Sequence, residues 1–157
     1  MASWSAFAAA APALAERVRD RLDAYTHKTI ATLRADGSPR ISGTETQLQD
    51  GELWIGSMWQ ALKAHDLQRD GRFALHSGSG EPDDDWAGDA KLAGVAVEIL
   101  DPVEVRERNG EAGANGPSHL FRLDLTEVST VRVNETKTGL IIDVWTPGRG
   151  LRTIHRE

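Results

Sequence analysis

The stretch from residue 51 to residue 77 contains both the period-two alternation typical of strands and the spacing typical of amphipathic helices. These two patterns guide the interpretation of the rest of the chain. Apolar and polar residues alternate over residues 52–57, which predicts a half-buried strand. The spacing then changes to that of an amphipathic helix, predicted over residues 60–69. Asp70-Gly71 ends this helix, and residues 72–77 alternate again. The segment is therefore predicted to fold as strand, polar turn, short helix and strand.

Alternation of period two also predicts most of the remaining chain to be strand. Asp36-Gly37 is typical of a hairpin turn, and three successive strands are predicted in meander order up to residue 57. Gly94, inside a predicted strand, indicates a bulge or a close backbone approach. The further predicted strands are residues 29–34, 40–48, 91–100, 119–133 with a bend near 126–127, and 139–146.

Only two sizeable helices are predicted. Leu14, Val18 and Leu22 recur every four residues and predict a core-facing helix over residues 12–24. The Ala-rich start is not interpreted as an export signal, because no basic residue precedes Arg17. Seven or so strands with short connections favour a mainly β fold, a closed or nearly closed antiparallel barrel, over a doubly wound sheet.

The later connections are predicted to be irregular. Glycines, asparagines and a proline between residues 101 and 118 limit any helix near residues 103–108 to a short one. Residues 151–157 are interpreted as a tail after a turn at residues 146–150. No segment reaches the length of a transmembrane helix. Because no linker separates two regions, residues 1–157 are predicted to form one domain, with residues 1–26 as a helical segment packed on the barrel.

Composition excludes several classes of function. The chain has 157 residues, 39% of them hydrophobic and 27% charged, as in ordinary globular proteins. Its formal net charge of −6 and the lack of a basic run argue against nucleic acid as a partner, and no membrane partner is expected. The absence of cysteine excludes disulfides and thiolate metal sites. We expect a cytoplasmic protein.

The junction between the first predicted strand of the 51–77 segment and its helix carries candidate chemistry. Ser57 ends the strand and Lys63 lies in the first turns of the helix. A hydroxyl, an ammonium group and the unpaired amides of a helix start can converge on one anion such as phosphate. The alternative is that Ser57 or a neighbour caps the helix and that Lys63 is solvated.

Other polar residues offer weaker signals. The carboxylates of Glu81 and residues 83–85 could hold a hard cation, but their spacing favours a solvated acidic loop, and we expect no metal. Trp86, beside this loop, is interpreted either as closing over an apolar ligand or as a packing residue. The five histidines are scattered singly and are interpreted as surface or structural residues. No catalytic residue is assigned.

Several short motifs, taken together, resemble the pyridoxamine 5′-phosphate oxidase-like split-barrel family. The match follows the order of the family along nearly the whole chain. The last two motifs resemble its actinobacterial branch, which includes enzymes that use the deazaflavin F420. The motifs are LRADGSPR at residues 33–40, GELW at 51–54, KAHDLQRDGRFAL at 63–75, GDAKLAG at 88–94 and WTPGRG at 145–150.

The resemblance implies an antiparallel split barrel that forms a homodimer, with two flavin-type sites at the subunit interface. It implies that the cofactor phosphate is held by the second strand and by the strand-to-helix junction. The implied substrate or partner-subunit side of the site comprises Trp86, Trp145 and Arg149. The implied cofactor-binding residues are Arg40, Ser42, Gly43, Thr44, Ser57, Met58 and Lys63.

Two positions depart from the family pattern. The true oxidase carries a lysine where this chain has Glu45 and an arginine where it has Leu62. We therefore do not expect the vitamin B6 oxidase.

The first hypothesis for the function is an oxidoreductase that transfers a hydride between FMN or F420 and a small organic substrate. The alternative is a non-catalytic split barrel that serves storage, sensing or haem or flavin binding.

Overall fold

A single antiparallel sheet organises the part of the chain that the computed structural model describes, residues 1–81 and 86–157, with only the backbone at residues 112 and 113. The sheet packs against four helices. The helices are α1 (Trp4–Ala10), α2 (Pro12–Ala24), α3 (Leu62–Arg69) and α4 (Pro102–Ala114). The strands are β1 (Lys28–Leu33), β2 (Pro39–Thr44), β3 (Gln47–Gln49), β4 (Glu52–Met58), β5 (Arg72–His76), β6 (Asp89–Glu98), β7 (Ser118–Val133), β8 (Leu140–Thr146) and β9 (Gly150–Arg156).

The strand order explains why the barrel is split. Neighbouring strands follow the order β2-β1-β5-β6-β7-β4-β3, and β8 extends from β7 to pair with β9. Because β2 and β3 stand at opposite ends of this path, the sheet does not close. The predicted antiparallel split barrel is confirmed, whereas the expectation of a closed or nearly closed sheet is too strong. The predicted meander is confirmed in part: β1 pairs with β2, and β4 pairs with β3 at the end of the strand predicted over residues 40–48, but the other edge of β4 pairs with β7.

Strand β7 connects three parts of the sheet. It pairs with β4 near its start, with β6 along most of its length and with β8 near its end. The register with β6 shifts at Gly94, where Ala93 faces Glu127 and Gly94 faces Leu125. A Cβ atom on Gly94 would collide with the carbonyl oxygen of Asp124. The predicted bend in β7 and the predicted bulge or close approach at Gly94 are both confirmed.

The core lies between the sheet and the N-terminal helices. The predicted stripe on α2, Leu14, Val18 and Leu22, is buried, and the bounds of α2 are those predicted. Helix α1 was not predicted, because its Ala-rich sequence carries only two large apolar residues that reach the core. One of them, Phe7, packs against Trp145 with ring centroids 5.0 Å apart.

Three further sequence predictions need correction. The strand predicted over residues 40–48 is interrupted between β2 and β3, so it forms two strands. Helix α4 extends beyond the short helix predicted near residues 103–108. Asp101 caps its start, and after a kink at Gly110, whose backbone is not helical, a second helical stretch runs to Ala114. The predicted tail is strand β9, which pairs with β8 over residues 150–156. Its side chains are mostly exposed, so it lacks the alternation by which strands are recognised.

The structure also bears on the predicted absence of a transmembrane helix and on the acidic loop. Within residues 1–81 and 86–157, no helix is long and apolar enough to cross a membrane. The acidic loop interpreted as solvated has its residues 83–85 outside the described part of the chain.

Candidate functional site

Two adjoining cavities lie where β2, β4 and α3 meet, and together they contain every predicted cofactor-binding residue. The main cavity has a volume of about 610 Å³, and the basic groove has a volume of about 440 Å³. Lys63 and Met58 line both. The main cavity is lined by residues that include Gly43, Thr44, Glu45, Ser57 and Trp59. The basic groove is lined by residues that include Arg34, Arg40, Ile41, Ser42 and Leu62.

Lys63 lies between the two cavities. Its Nζ donates a hydrogen bond to the carbonyl oxygen of Gly43 over 2.7 Å, which ties the start of α3 to β2. Burial lowers the pKa of Lys63, although the charge of Glu45 opposes this shift. No carboxylate of the described residues forms an ion pair with Lys63. Because Lys63 is half-buried and hydrogen-bonded to Gly43, the alternative interpretation of a merely solvated lysine is wrong.

Ser57 faces the main cavity from the end of β4. Its residue is buried, and its Oγ has no hydrogen-bond partner among the described residues. The alternative that it caps the helix is wrong, because the N-cap of α3 is Ala61 and no side chain caps this helix. Buried hydroxyl groups in folded proteins almost always have a partner. An unpaired one in a cavity wall is the group that a bound ligand would satisfy.

Arg40 has a structural contact that the sequence did not reveal. Its Nε donates to Oδ2 of Asp66 over 2.6 Å, and Asp66 also accepts hydrogen bonds from Thr32 and Arg69. Burial alone would raise the pKa of Asp66, but these hydrogen bonds outweigh burial and lower it to about 2. Arg40 still lines the basic groove, where no other hydrogen bond from it is made to the described residues.

The two positions that depart from the family pattern both lie at the site. Glu45 lines the main cavity, and its carboxylate is 3.6 Å from Nδ1 of His27. Leu62 lines the basic groove, and 62% of it is exposed. An acidic and an apolar side chain thus replace two expected cations at the place where a phosphate would bind.

The residues expected on the substrate or partner-subunit side are not brought together in one chain. Trp145 is buried in the core beside Phe7. Trp86 donates from Nε1 to Oγ of Ser79 over 3.3 Å, and Arg149 is exposed in the turn between β8 and β9. None of the three lines either cavity. Their role toward a ligand or a partner stays a prediction.

Sequence reasoning missed two features near the site. Arg34 adds a third basic side chain to the basic groove, and its place just before the Asp36-Gly37 turn is the signal that could have revealed it. His119 is buried, which agrees with its interpretation as a surface or structural histidine, but the sequence did not reveal its partners. Its Nδ1 donates to Glu98 over 2.7 Å, since Nε2 accepts from the backbone N–H of Gln60.

Comparisons with known proteins bear on the fold. No family model and no curated protein matches the sequence. Solved structures do match, among them the conserved protein Rv2991 from Mycobacterium tuberculosis, with a TM-score of 0.61 and 18% identity over 72% of this chain and 81% of that one. PhzG from Burkholderia lata, solved with tetrahydrophenazine-1-carboxylic acid, gives a TM-score of 0.59 and 14% identity over 95% and 87%.

A third similar structure decides the type of split barrel. It is a Clostridium acetobutylicum protein related to general stress protein 26 and described as a member of the pyridoxinephosphate oxidase family. Its TM-score is 0.58, with 12% identity over 92% of this chain and 93% of that one. The fold is a pyridoxamine 5′-phosphate oxidase-like split barrel. At these identities the similarity concerns the fold, and the actinobacterial branch stays a prediction.

Proposed function

We propose that the protein is an oxidoreductase that uses FMN or F420 to transfer a hydride to or from a small organic substrate. The observation that carries the proposal is the placement of Lys63 between a groove with three basic side chains and a cavity with an unpartnered hydroxyl. The fold, shared with a pyridoxinephosphate oxidase family protein and with PhzG, supports the same proposal.

The basic groove is suited to a phosphate group. Arg34, Arg40 and Lys63 line it in a chain whose formal net charge is −6, so its positive charge contrasts with the molecule as a whole. Guanidinium and ammonium groups form strong charge-assisted hydrogen bonds with phosphate oxygens. The start of α3, which no side chain caps, adds a site where backbone N–H groups favour an anion.

The main cavity is suited to the ring system of such a cofactor. Its volume of about 610 Å³ lies within the usual range for small-molecule sites. Ser57 offers a buried hydroxyl that has no protein partner, and Trp59 offers a flat apolar surface at the wall. These residues therefore fit a flavin-type group whose phosphate lies in the adjoining groove.

The roles of the chain and of the cofactor are distinct in this proposal. When bound, the cofactor would supply the hydride chemistry. Lys63, Arg34 and Arg40 would hold its phosphate, and Ser57 would donate or accept a hydrogen bond in the main cavity. Glu45, which also lines this cavity, brings a negative charge beside Lys63. It would limit the total positive charge offered to the phosphate.

We also propose that a second copy of the chain covers the basic groove. Its rim carries large apolar side chains that are strongly exposed, with Met58 at 82% and Leu62 at 62% exposure, and Ile41 lies beside them. Contiguous exposed apolar groups are typical of interaction surfaces. A symmetric dimer would bury the same patch on both copies. It would also exclude water from the groove.

Anaerobic titration of the purified protein with FMN and with F420, followed by absorbance and fluorescence, tests the function. We expect saturable binding of one of the two at micromolar concentration. A bound cofactor that a reductant bleaches and that an organic substrate then reoxidises would support the oxidoreductase. Binding without any such turnover would favour the non-catalytic alternative, and binding of neither cofactor would overturn the proposed site.

A further inference from the structure

A second large cavity lies beside α4, apart from the basic groove. This α4 cavity has a volume of about 700 Å³. It is lined by residues that include Trp59, Glu98, Ile99, Val105, Arg106 and His119. Trp59, Pro117 and Ser118 line both the α4 cavity and the main cavity, so they form the wall between the two. The function proposed above uses Trp59 from the side of the main cavity and makes no other use of this space.

The aromatic part of the wall is held in a fixed position. The ring of Trp59 stacks on that of His119, with centroids 4.8 Å apart and planes inclined by 11°. His119 cannot turn freely, because one ring nitrogen is hydrogen-bonded to Glu98 and the other to the backbone N–H of Gln60. Stacking covers one face of the indole, yet 53% of Trp59 stays exposed. An aromatic surface therefore remains available to a ligand.

Arg106 is the basic side chain of the α4 cavity, and its acidic counterpart Glu98 has no unpaired oxygen to offer a ligand. Glu98 is already engaged, because its two oxygens accept hydrogen bonds from His119 and, at 3.1 and 3.0 Å, from Nε2 of Gln68. Arg106 is exposed on α4 and makes no hydrogen bond or ion pair to the described residues. Its five N–H donors therefore have no partner among the described residues and can donate to an anionic group.

We propose that the α4 cavity binds a flat aromatic molecule that carries one carboxylate or a similar anionic group. The ring lies against Trp59 and the apolar side chains of Ile99 and Val105, and the anionic group contacts Arg106. An aromatic ring gains both buried area and stacking energy from such a surface. Arginine is suited to a carboxylate because its planar fork can donate two hydrogen bonds. This site requires no bound cofactor.

Two probes that differ only in charge test the proposal on the protein without added cofactor. Naphthalene-2-carboxylate and naphthalene-2-carboxamide are titrated in parallel by calorimetry. We expect the carboxylate to bind about fivefold more tightly, as a partly exposed charge pair allows. Arg106→Gln should abolish this preference and leave amide binding unchanged, whereas Arg106→Lys should retain part of it. Arg152→Gln, at an exposed arginine of β9 outside the cavity, should change neither affinity.

Two further variants test the aromatic wall and separate the α4 cavity from the basic groove. Trp59→Leu should weaken both probes about tenfold, provided that its melting temperature shows a folded protein. Lys63→Ala should leave both affinities as they are. If Lys63→Ala rather than Arg106→Gln removes the preference for the carboxylate, the anion binds in the basic groove and the proposal is wrong. Equal affinity for the two probes, or no binding of either at millimolar concentration, would also overturn it.

Discussion

Arg40 donates a hydrogen bond from Nε to Oδ2 of Asp66 over 2.6 Å, and this contact fixes β2 to α3. Both elements carry walls of the basic groove. Arg40 therefore holds the shape of the groove as well as contributing charge to it. Lys63 also ties α3 to β2, but its side chain does so through a single hydrogen bond to a backbone carbonyl and contacts no buried carboxylate. Substitution of the two residues should consequently affect stability and binding in different proportions.

Lys63→Ala should weaken cofactor binding far more than it weakens the fold. The lost charge-assisted bond to phosphate corresponds to roughly 1.5 to 3 kcal/mol, or about ten- to a hundredfold in affinity. The loss of the bond to Gly43 should lower the free energy of unfolding by less than about 1 kcal/mol. Titration with FMN and F420 at two salt concentrations and chemical denaturation measure these effects. Lys91→Ala, at an exposed lysine of β6, is the control. Unchanged affinity with a lower melting temperature would show that Lys63 is only structural.

Ser57→Ala should raise the stability of the protein without cofactor while it lowers cofactor affinity. A buried hydroxyl without a partner costs about 1 to 3 kcal/mol, so its removal should increase the free energy of unfolding by up to about 1 kcal/mol. In the complex the same substitution removes one neutral hydrogen bond to the cofactor, which should lower the affinity about fivefold. Denaturation with and without cofactor compares the two states. A variant that is less stable in both would contradict the role assigned to this hydroxyl.

Asp66 should make the fold sensitive to acid. Its pKa of about 2 in the folded state lies below the ordinary 3.8, so the carboxylate stabilises the fold fully above about pH 4. That stabilisation is lost as the pH falls toward 2, and it amounts to about 2 kcal/mol. Asp66→Asn cannot show this loss. Its deficit in unfolding free energy relative to the parent should therefore shrink by that amount between pH 6 and pH 2. A deficit that is constant with pH would refute this assignment.

Gly94→Ala should disrupt the pairing of β6 with β7. The added methyl group would meet the backbone oxygen of Asp124, which belongs to the adjacent strand and cannot move aside on its own. We expect a loss of about 3 kcal/mol or more, or failure to accumulate as folded protein. Gly148→Ala is the matched control, because a Cβ atom there meets nothing within 4 Å. Similar melting temperatures for the two variants would show that the bulge accommodates a side chain.

Leu62→Glu should dissociate the proposed dimer. A charge placed on the exposed apolar rim of the basic groove would have to be buried against the second copy, which is costly without a partner. Sedimentation velocity at micromolar concentration should show a dimer for the parent and a monomer for the variant. Val103→Glu, at a similarly exposed position on α4, should remain dimeric. A parent protein that sediments only as a monomer would reject the proposal.

Local pattern predicted most of the fold. The four-residue spacing on α2 predicted both of its ends, and the glycine inside β6 predicted the bulge opposite Thr126. Helix α1 and strand β9 escaped prediction for a shared reason: their sequences lack the alternation or spacing that a large buried face imposes. Whether the sheet closes depends on contacts between β2 and β3 across the whole barrel, which periodicity does not encode.

The site was predicted where its residues are close in sequence and missed where they are distant. Ser57 and Lys63 flank one strand-to-helix junction, and the structure places both at the main cavity. The contact between Arg40 and Asp66 joins residues 26 positions apart. That between His119 and Glu98 depends on the register of β6 with β7, which the bulge shifts by one residue. Gly94 indicated that a bulge was present, but the cross-strand partners that result from it cannot be read from composition or spacing.

The threefold pairing of β7 has a consequence for synthesis of the chain. Strand β4 is complete at Met58, but the strand that covers its second edge begins at Ser118. While the ribosome makes the intervening residues, β4 therefore keeps an open edge beside the apolar side chains of Leu53 and Ile55. Contacts of such long sequence separation slow folding and leave incomplete chains prone to aggregate. Chains that stop before residue 118 should thus be the vulnerable products, dependent on chaperones until β7 emerges.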